Sequence, residues 1–215
     1  MRESYISMVK VLVFGDSISW GAFDIERGGW VERLKTHYLK DYFQSEVGVY
    51  NFSVSGNTSI GVLKFLQTDI DKIEFIENEE QVHIFAIGTN DSTQEGSIEN
   101  DSWISVEEYI ANIETIISIS KQYTKKIIFI GDFNINEDLT LPWRDSNLYW
   151  KNSTAKKYEN SLEEICQKYS IPLIPTKDII TLEDLSDGLH PNSKGHERIF
   201  QRIKEFLENN EFNFY

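Results

Sequence analysis

The sequence predicts an α/β protein of three layers, in which helices cover both faces of one parallel sheet. Strongly apolar, strand-like runs alternate with amphipathic, helix-like segments along the chain. The runs are apolar at consecutive positions, which is typical of strands buried on both faces. Five such strands favour a flavodoxin-like, doubly wound order. Because no repeat, low-complexity segment or linker interrupts the pattern, we expect a single domain over residues 1–215.

Each predicted strand is a short apolar run, and each predicted helix repeats apolar residues at helical spacing. The strands are predicted at residues 11–14 (following Val9 and Lys10), 47–52, 82–87, 127–130 and 171–174, and the helices at 30–43, 59–75, 105–120, 153–169 and 193–207. The stripe facing the sheet is predicted to include Leu39 in the first helix and Ile60 in the second. Ser105 and Glu108 form a capping-box pattern at the start of the third helix.

Two long loops, 88–104 and 132–152, follow predicted strands. We therefore expect both at the edge of the sheet where ligands bind in such folds. The second loop carries Trp143, Tyr149 and Trp150. Aromatic residues on a loop either anchor it or line a pocket, and the sequence leaves both interpretations open.

Composition excludes several classes of partner. The formal charge of −14 and the pI of about 4.7 disfavour binding to nucleic acid or to an anionic membrane surface. No export signal and no apolar run of about 18 residues is visible, so we expect a cytoplasmic protein. Cys166 is the only cysteine, which excludes an intrachain disulfide, and its helical position predicts a buried apolar role.

Polar residues follow each of the first four predicted strands, and two more precede the last helix. They are Asp16 and Ser17; Ser55, Gly56 and Asn57; Thr89, Asn90 and Asp91; Asp132 and Asn134; and Asp187 and His190. A doubly wound sheet brings the carboxyl ends of its strands to one rim, so these groups are predicted to converge there.

This set contains what acyl transfer requires. Ser17 can act as a nucleophile if a base removes its proton, and His190 can be that base. Asp187, three residues earlier, can orient the imidazole and stabilise its charged form. The backbone N–H groups of Ser17 and Gly56 and the side-chain amide of Asn90 are candidate donors for an oxyanion hole. Asp16 is expected to support the turn rather than react.

The same residues resemble a known family. Gly15-Asp16-Ser17-Ile18, Gly56, Gly88-Thr89-Asn90-Asp91 and Asp187-Gly188-Leu189-His190 are similar, in order and spacing, to the four signature blocks of the SGNH hydrolases, also called GDSL lipases and esterases. The resemblance implies Ser17 as the nucleophile, His190 and Asp187 as base and orienter, and Gly56 and Asn90 in the oxyanion hole. It also implies a flavodoxin-like fold without a metal. Ile18 replaces the leucine of the family name, one apolar residue for another.

Two alternatives come from other functional classes. Asp16, Asp91, Asp132 and Asp187 fall near strand ends, which would suit a metal-dependent phosphohydrolase. However, Ile18 occupies the second position of the Asp-x-Asp pattern that aspartyl-phosphate enzymes use. A catalytically silent binding module on the same scaffold would not need an oriented base. The other histidines, at positions 37, 83 and 196, lie in predicted helices or a strand and are expected to be structural or solvated.

The sequence thus predicts a serine esterase that needs no cofactor or metal. The Gly-x-Ser-x-Gly motif of the α/β-hydrolases is absent. No strongly apolar lid segment is visible, which favours a small acyl ester, or an O-acetyl group on a carbohydrate, over a lipid substrate. Trp20, Trp143 and Trp150 are candidates for the walls of the acyl or alcohol pocket.

Overall fold

A parallel five-stranded sheet forms the middle layer of the protein. The computed structural model describes residues 9–40, 47–73 and 79–209. Its strands are β1 (Val9–Gly15), β2 (Val47–Asn51), β3 (Glu80–Ala86), β4 (Gln94–Glu95), β5 (Lys126–Ile130), β6 (Leu148–Tyr149) and β7 (Leu173–Ile174). The main sheet has the order β2-β1-β3-β5-β7, with every neighbouring pair parallel. The predicted flavodoxin-like order is therefore confirmed.

Helices cover both faces of this sheet. They are α1 (Ser17–Trp20), α2 (Trp30–Lys40), α3 (Ser59–Asp71), α4 (Val106–Ser120), α5 (Glu137–Thr140), α6 (Asn152–Tyr169) and α7 (Ser193–Asn209). One apolar cluster joins α2 and α7 to the face that carries Val11 and Val13 of β1. A second cluster joins α3, α4 and α6 to the face that carries Leu12 and Phe14. Since successive side chains of a strand point to opposite faces, β1 contributes to both clusters.

The predicted elements are present, with differences at their ends and in two buried stripes. Leu39 is 52% exposed and Ile60 is 40% exposed, so their predicted inward orientation is wrong. Leu34 and Tyr38 occupy the centre of the buried face of α2, which turns Leu39 outward. In α3 the buried stripe begins at Ser59 rather than at Ile60, because a buried carboxylate binds Ser59. The predicted continuations of the two helices over 41–43 and 74–75 lie outside the described residues.

The two long loops pair with each other, which the sequence analysis missed. β4 of loop 88–104 and β6 of loop 132–152 form a two-stranded antiparallel sheet, with Gln94 opposite Tyr149 and Glu95 opposite Leu148. Two-residue strands carry too little periodicity to be recognised in a sequence. The pairing fixes the second loop against the first at the carboxyl ends of β3 and β5.

A buried ion pair links α2 to the connection that precedes it and to α7. Arg33 of α2 lies 2.8 Å from the carboxylate of Asp24, and both side chains are almost completely buried. The same guanidinium binds Glu197 at 2.7 Å and the Ser193 carbonyl oxygen at 3.1 Å, both in α7. Asp24 also accepts the backbone N–H of Gly29 at 2.9 Å. These contacts join α2, the connection that precedes it and the start of α7.

Two further predictions concern Cys166 and the membrane. Cys166 is buried in α6, and burial raises the pKa of its thiol to about 12. It therefore acts as a small apolar side chain rather than as a reactive thiolate. No helix in the described part of the chain combines the length and the hydrophobicity that crossing a bilayer requires.

Candidate active site

Ser17 lies at the sharp turn between β1 and α1. Gly15 ends the strand in a position without room for a side chain, since a Cβ atom there would lie 2.7 Å from Ser19 Oγ and 2.8 Å from the Ala86 carbonyl oxygen. Asp16 then caps α1, with its carboxylate accepting the N–H of Ile18 at 2.9 Å. The capped turn holds Ser17 at the first position of the helix, at the carboxyl end of β1, which lies between β2 and β3 in the sheet.

Ser17, His190 and Asp187 form a hydrogen-bonded chain. The Ser17 Oγ atom lies 2.9 Å from His190 Nε2. The other ring nitrogen, Nδ1, lies 2.9 Å from Asp187 Oδ2 and 3.1 Å from Oδ1. Since a carboxylate can only accept, Nδ1 carries a proton and donates, which leaves the Nε2 lone pair of the neutral ring for the Ser17 hydroxyl proton. The three predicted side chains therefore meet in the order that proton removal from Ser17 requires.

The loop before α7 brings Asp187 back onto its own histidine. The Asp187 Oδ1 atom accepts the backbone N–H groups of Leu189 at 3.1 Å and His190 at 2.8 Å. Gly188 adopts a φ of 86°, and a Cβ atom there would lie 2.7 Å from Leu139 Cβ. Burial acts to raise the pKa of Asp187, but hydrogen bonds from the His190 ring and backbone outweigh it and hold the pKa at about 2. Asp187 is thus an ionised carboxylate at neutral pH.

Asn90 and Gly56 approach the same turn from β3 and β2. The Asn90 side-chain N–H₂ donates to the Asn57 carbonyl oxygen at 3.0 Å and, more weakly, to Asp16 Oδ2 at 3.4 Å. Gly56 lies in a turn closed by a bond from the Asn57 N–H to the Val54 carbonyl oxygen, at 3.1 Å. Its φ of 78° suits glycine, and a Cβ atom built there meets no other described atom within 4 Å. Asn90 is therefore hydrogen-bonded both to the turn that carries Ser17, through Asp16, and to Asn57, the residue after Gly56.

Comparison with known proteins gives the family. The model of the GDSL-like lipase/acylhydrolase family matches residues 13–198, which include the turn at Ser17 and the loop at His190. The chain belongs to this family. Membership makes the protein a hydrolase of ester bonds and confirms the resemblance to the SGNH hydrolases.

Three known proteins are similar to this chain over most of their length. The isoamyl acetate-hydrolyzing esterase of Saccharomyces cerevisiae is 24% identical, over 93% of this chain and 86% of that protein. The crystal structure of the lipase/acylhydrolase from Enterococcus faecalis superposes with a TM-score of 0.72 at 21% identity, over 94% of this chain and 96% of that one. An acetylxylan esterase from Geobacillus stearothermophilus gives a TM-score of 0.69 at 19% identity, over 97% and 96%. The two structures share the fold.

The candidate site also includes Phe23 and Arg144, which were not predicted, and Trp143, which was predicted only as an anchor or a pocket wall. The Trp143 indole N–H donates to Asp187 Oδ2 at 3.1 Å, and the Arg144 guanidinium lies 3.4 Å from the same oxygen. The ring of Phe23 lies 5.2 Å from the imidazole of His190, centroid to centroid. Trp143 was noted as a loop aromatic, but no pattern in the sequence indicates which carboxylate a loop indole will reach.

The remaining aromatic candidates lie elsewhere. Trp150 is 3% exposed, and its indole N–H donates to the Thr89 carbonyl oxygen at 3.1 Å, so it anchors the loop. Tyr149 is partly buried within β6. Trp20 is 57% exposed at the end of α1. Of the two interpretations left open by the sequence, anchoring therefore applies to Trp150.

The other three aspartates near the strand ends have separate partners. Asp91 accepts the backbone N–H of Ser59, which holds the start of α3, and Asp132 accepts the Thr89 hydroxyl at 3.0 Å. Burial raises the pKa of Asp16 to about 7, and those of Asp91 and Asp132 to about 6. Among the described residues, no group of three or more histidine, cysteine or acidic side chains is arranged to hold a metal ion.

The three other histidines have partners of their own. His83 is buried against Gln81, and burial lowers its pKa to about 4. His196 bonds through Nε2 to the Ala22 carbonyl oxygen at 2.9 Å, and His37 pairs with Glu208 at 3.0 Å. None of these contacts involves Ser17 or Asp187.

Proposed function

We propose that the protein is a serine esterase that hydrolyses small esters, acetates foremost, through an acyl-enzyme. Ser17 is the nucleophile, His190 the general base and then acid, and Asp187 the residue that orients His190. The observation that carries this proposal is the 2.9 Å contact between Ser17 Oγ and His190 Nε2, with Asp187 2.9 Å from the opposite ring nitrogen.

The reaction has two halves. In the first, the Ser17 proton passes to His190 Nε2 while Oγ attacks the ester carbonyl carbon, and the imidazolium then protonates the departing alkoxide. In the second, water takes the place of the alcohol and gives a proton to His190 while its oxygen attacks the acyl carbon; the imidazolium then returns that proton to Ser17 Oγ as the bond between Oγ and the acyl carbon breaks and the acid leaves. Charge that develops on the carbonyl oxygen is held by the N–H groups of Ser17 and Gly56 and by the Asn90 amide. The Asp187 carboxylate stabilises the imidazolium in both halves.

The proposed substrate is an ester with a short acyl chain, on a small alcohol or a carbohydrate. Relatives named for isoamyl acetate and for acetylxylan support an acetyl group as the acyl part of the substrate. The apolar rings of Phe23 and Trp143 beside His190 offer a surface to the leaving alcohol.

Active-site labelling tests the proposed nucleophile. We expect a fluorophosphonate to form one adduct, at Ser17, when the labelled protein is digested and mapped by mass spectrometry. Ser17→Ala should abolish both labelling and ester hydrolysis. Ser153→Ala, at an exposed serine of α6, should leave both unchanged. Labelling at another residue, or turnover by Ser17→Ala, would remove Ser17 from this role.

Substrate comparison tests the acyl group, the alcohol and the absence of a metal requirement. With p-nitrophenyl acetate, butyrate and octanoate, we expect kcat/KM to fall as the acyl chain lengthens and EDTA to have no effect. Acetate release from isoamyl acetate and from acetylated xylo-oligosaccharides then separates a simple alcohol from a carbohydrate. A preference for octanoate would contradict the short-acyl proposal, and loss of activity in EDTA with recovery in Mg²⁺ would support the phosphohydrolase class.

A further inference from the structure

The Asp187 carboxylate accepts hydrogen bonds from two separate parts of the chain, its own loop and the loop that carries Trp143. The backbone N–H groups of Leu189 and His190 both donate to Oδ1. The other oxygen, Oδ2, is the one nearer to His190 Nδ1, at 2.9 Å, and the Trp143 indole N–H donates to it at 3.1 Å. Trp143 comes from loop 132–152, so a second part of the chain controls the oxygen that faces the imidazole.

The hydrogen bond from the Trp143 indole to Asp187 Oδ2 restricts the orientation of the Asp187 carboxylate. Rotation of an aspartate carboxylate about its Cβ–Cγ bond is soft, because such torsions have broad minima, and it moves both oxygens together. The Trp143 donor on Oδ2 adds to the two donors on Oδ1, restricts this rotation further and keeps Oδ2 directed at Nδ1. The Asp187 side chain is only 7% exposed, so water has little access to replace a missing donor.

Trp143 is itself held in place before any substrate binds. Its backbone N–H donates to the Leu148 carbonyl oxygen at 2.8 Å, and its ring packs edge-on against Trp150 at 5.6 Å. The Arg144 guanidinium lies over the Trp143 ring at 4.8 Å and over the Phe23 ring at 5.1 Å. Cation–π contacts of this kind hold the two aromatic rings on either side of one charge.

The backbone on both sides of this arrangement is strained. Phe23 and Arg144 have φ values of 66° and 52°, a region that side-chain-bearing residues rarely adopt. Strain of this kind persists where surrounding contacts determine it, and it concentrates at functional sites. Here it directs the Phe23 ring toward His190 and the Arg144 guanidinium toward Asp187.

We propose that Trp143 is a positioning residue for the ester hydrolysis: its indole N–H fixes Asp187 Oδ2, and Arg144 covers that bond from the solvent side. The inference rests on the proposed function. Trp143 acts through Asp187, and its loss should lower kcat while substrate binding is kept.

The test removes the indole N–H while keeping an aromatic ring. Trp143→Phe should reduce kcat about 10-fold, the scale of one hydrogen bond to a charged group, and leave KM within about twofold. The rate of fluorophosphonate labelling at Ser17 should fall by a similar factor. Trp103→Phe is the matched control, since the Trp103 indole N–H also donates to a carboxylate, that of Glu95 at 3.1 Å, away from Asp187. It should leave kcat and labelling unchanged.

A shape-matched replacement separates the bond from the packing. 3-Benzothienylalanine at position 143 keeps the bicyclic ring and replaces only the N–H, so it should reproduce the loss of kcat without changing the melting temperature. If it retains the wild-type kcat and labelling rate, or if Trp143→Phe changes KM alone, the positioning role is wrong. If the wild-type protein is not labelled at Ser17 at all, the proposed function itself is wrong, independently of the role of Trp143.

Discussion

The side-chain amide of Asn90 donates hydrogen bonds to two neighbouring residues. It donates to the Asn57 carbonyl oxygen at 3.0 Å and to Asp16, the residue before the proposed nucleophile, at 3.4 Å. The longer contact is weak, so one N–H of the amide can turn to a developing oxyanion without loss of a strong bond. At the scale of single residues, the proposed oxyanion donor is thus held by one firm bond, to Asn57, and one weak bond, to Asp16.

Replacement of Asn90 tests its proposed role in the oxyanion hole. We expect Asn90→Ala to lower kcat by about 10²–10³, the usual effect of removing one such donor. The circular dichroism spectrum should be unchanged. Asn160→Ala, at an exposed position of α6, serves as the control and should keep the wild-type rate. A wild-type rate for Asn90→Ala would remove Asn90 from the oxyanion hole.

At the scale of elements, the Arg33–Asp24 pair holds α2 and α7 together beneath the site. Asp24 follows Phe23, whose ring packs on His190, and Arg33 also binds Ser193 and Glu197 at the start of α7. The segment that follows Ser17 is thereby fixed to the start of the helix that follows His190. Burial acts to raise the pKa of Asp24, but hydrogen bonds from Ser193 and from backbone N–H groups outweigh it and lower the pKa to about 2.

Breaking this pair should destabilise the fold strongly. Arg33→Met leaves the Asp24 carboxylate buried without its cation, for which we expect a loss of about 3–5 kcal/mol in the free energy of unfolding. Urea denaturation monitored by tryptophan fluorescence measures it. Lys35→Met, on the exposed side of the same helix, should change stability by less than about 0.5 kcal/mol. Equal losses of unfolding free energy in the two variants would show that the buried pair stabilises the fold no more than an exposed lysine does.

The helices and strands and the side chains of the candidate site were predictable from the sequence, whereas the contacts that support that site were not. Val11–Phe14 and the periodicity of α4 reflect local burial, which leaves a pattern in the sequence. Ser17 and His190 were recognisable because parallel strand ends share one edge. The bond between Trp143 and Asp187 depends on how an irregular loop folds across the site, and no local pattern records that. Ile60 was misassigned because the orientation of α3 is set by Asp91, far along the chain.

At the scale of the whole molecule, buried carboxylic acids oppose stability at neutral pH. Asp16, Asp91 and Asp132 have pKa values of about 6–7, raised chiefly by burial, so the folded protein holds protons that the unfolded chain releases above pH 4. Stability from these groups therefore falls as the pH rises from about 4 to 7. Asp24 and Asp187, with pKa values of about 2, act oppositely, and their contribution is lost only as the pH falls below about 4.

We therefore expect maximal stability near pH 4–5, and Asp132→Asn should flatten the decline toward pH 7. The variant removes a carboxyl that must either keep its proton or carry a buried charge, which should recover roughly 2–3 kcal/mol at pH 7 relative to pH 4. Urea denaturation at each pH measures this. Asp101→Asn removes the same formal charge from an exposed position and should leave the slope unchanged. Equal slopes for Asp132→Asn and the wild type would contradict the prediction.

The separation of 173 positions between Ser17 and His190 has a consequence for biosynthesis. A ribosome makes the Ser17 hydroxyl 173 residues before the His190 imidazole, so a chain that has not yet reached position 190 carries a serine without its proposed base. Ester hydrolysis through Ser17 should therefore require translation past position 190.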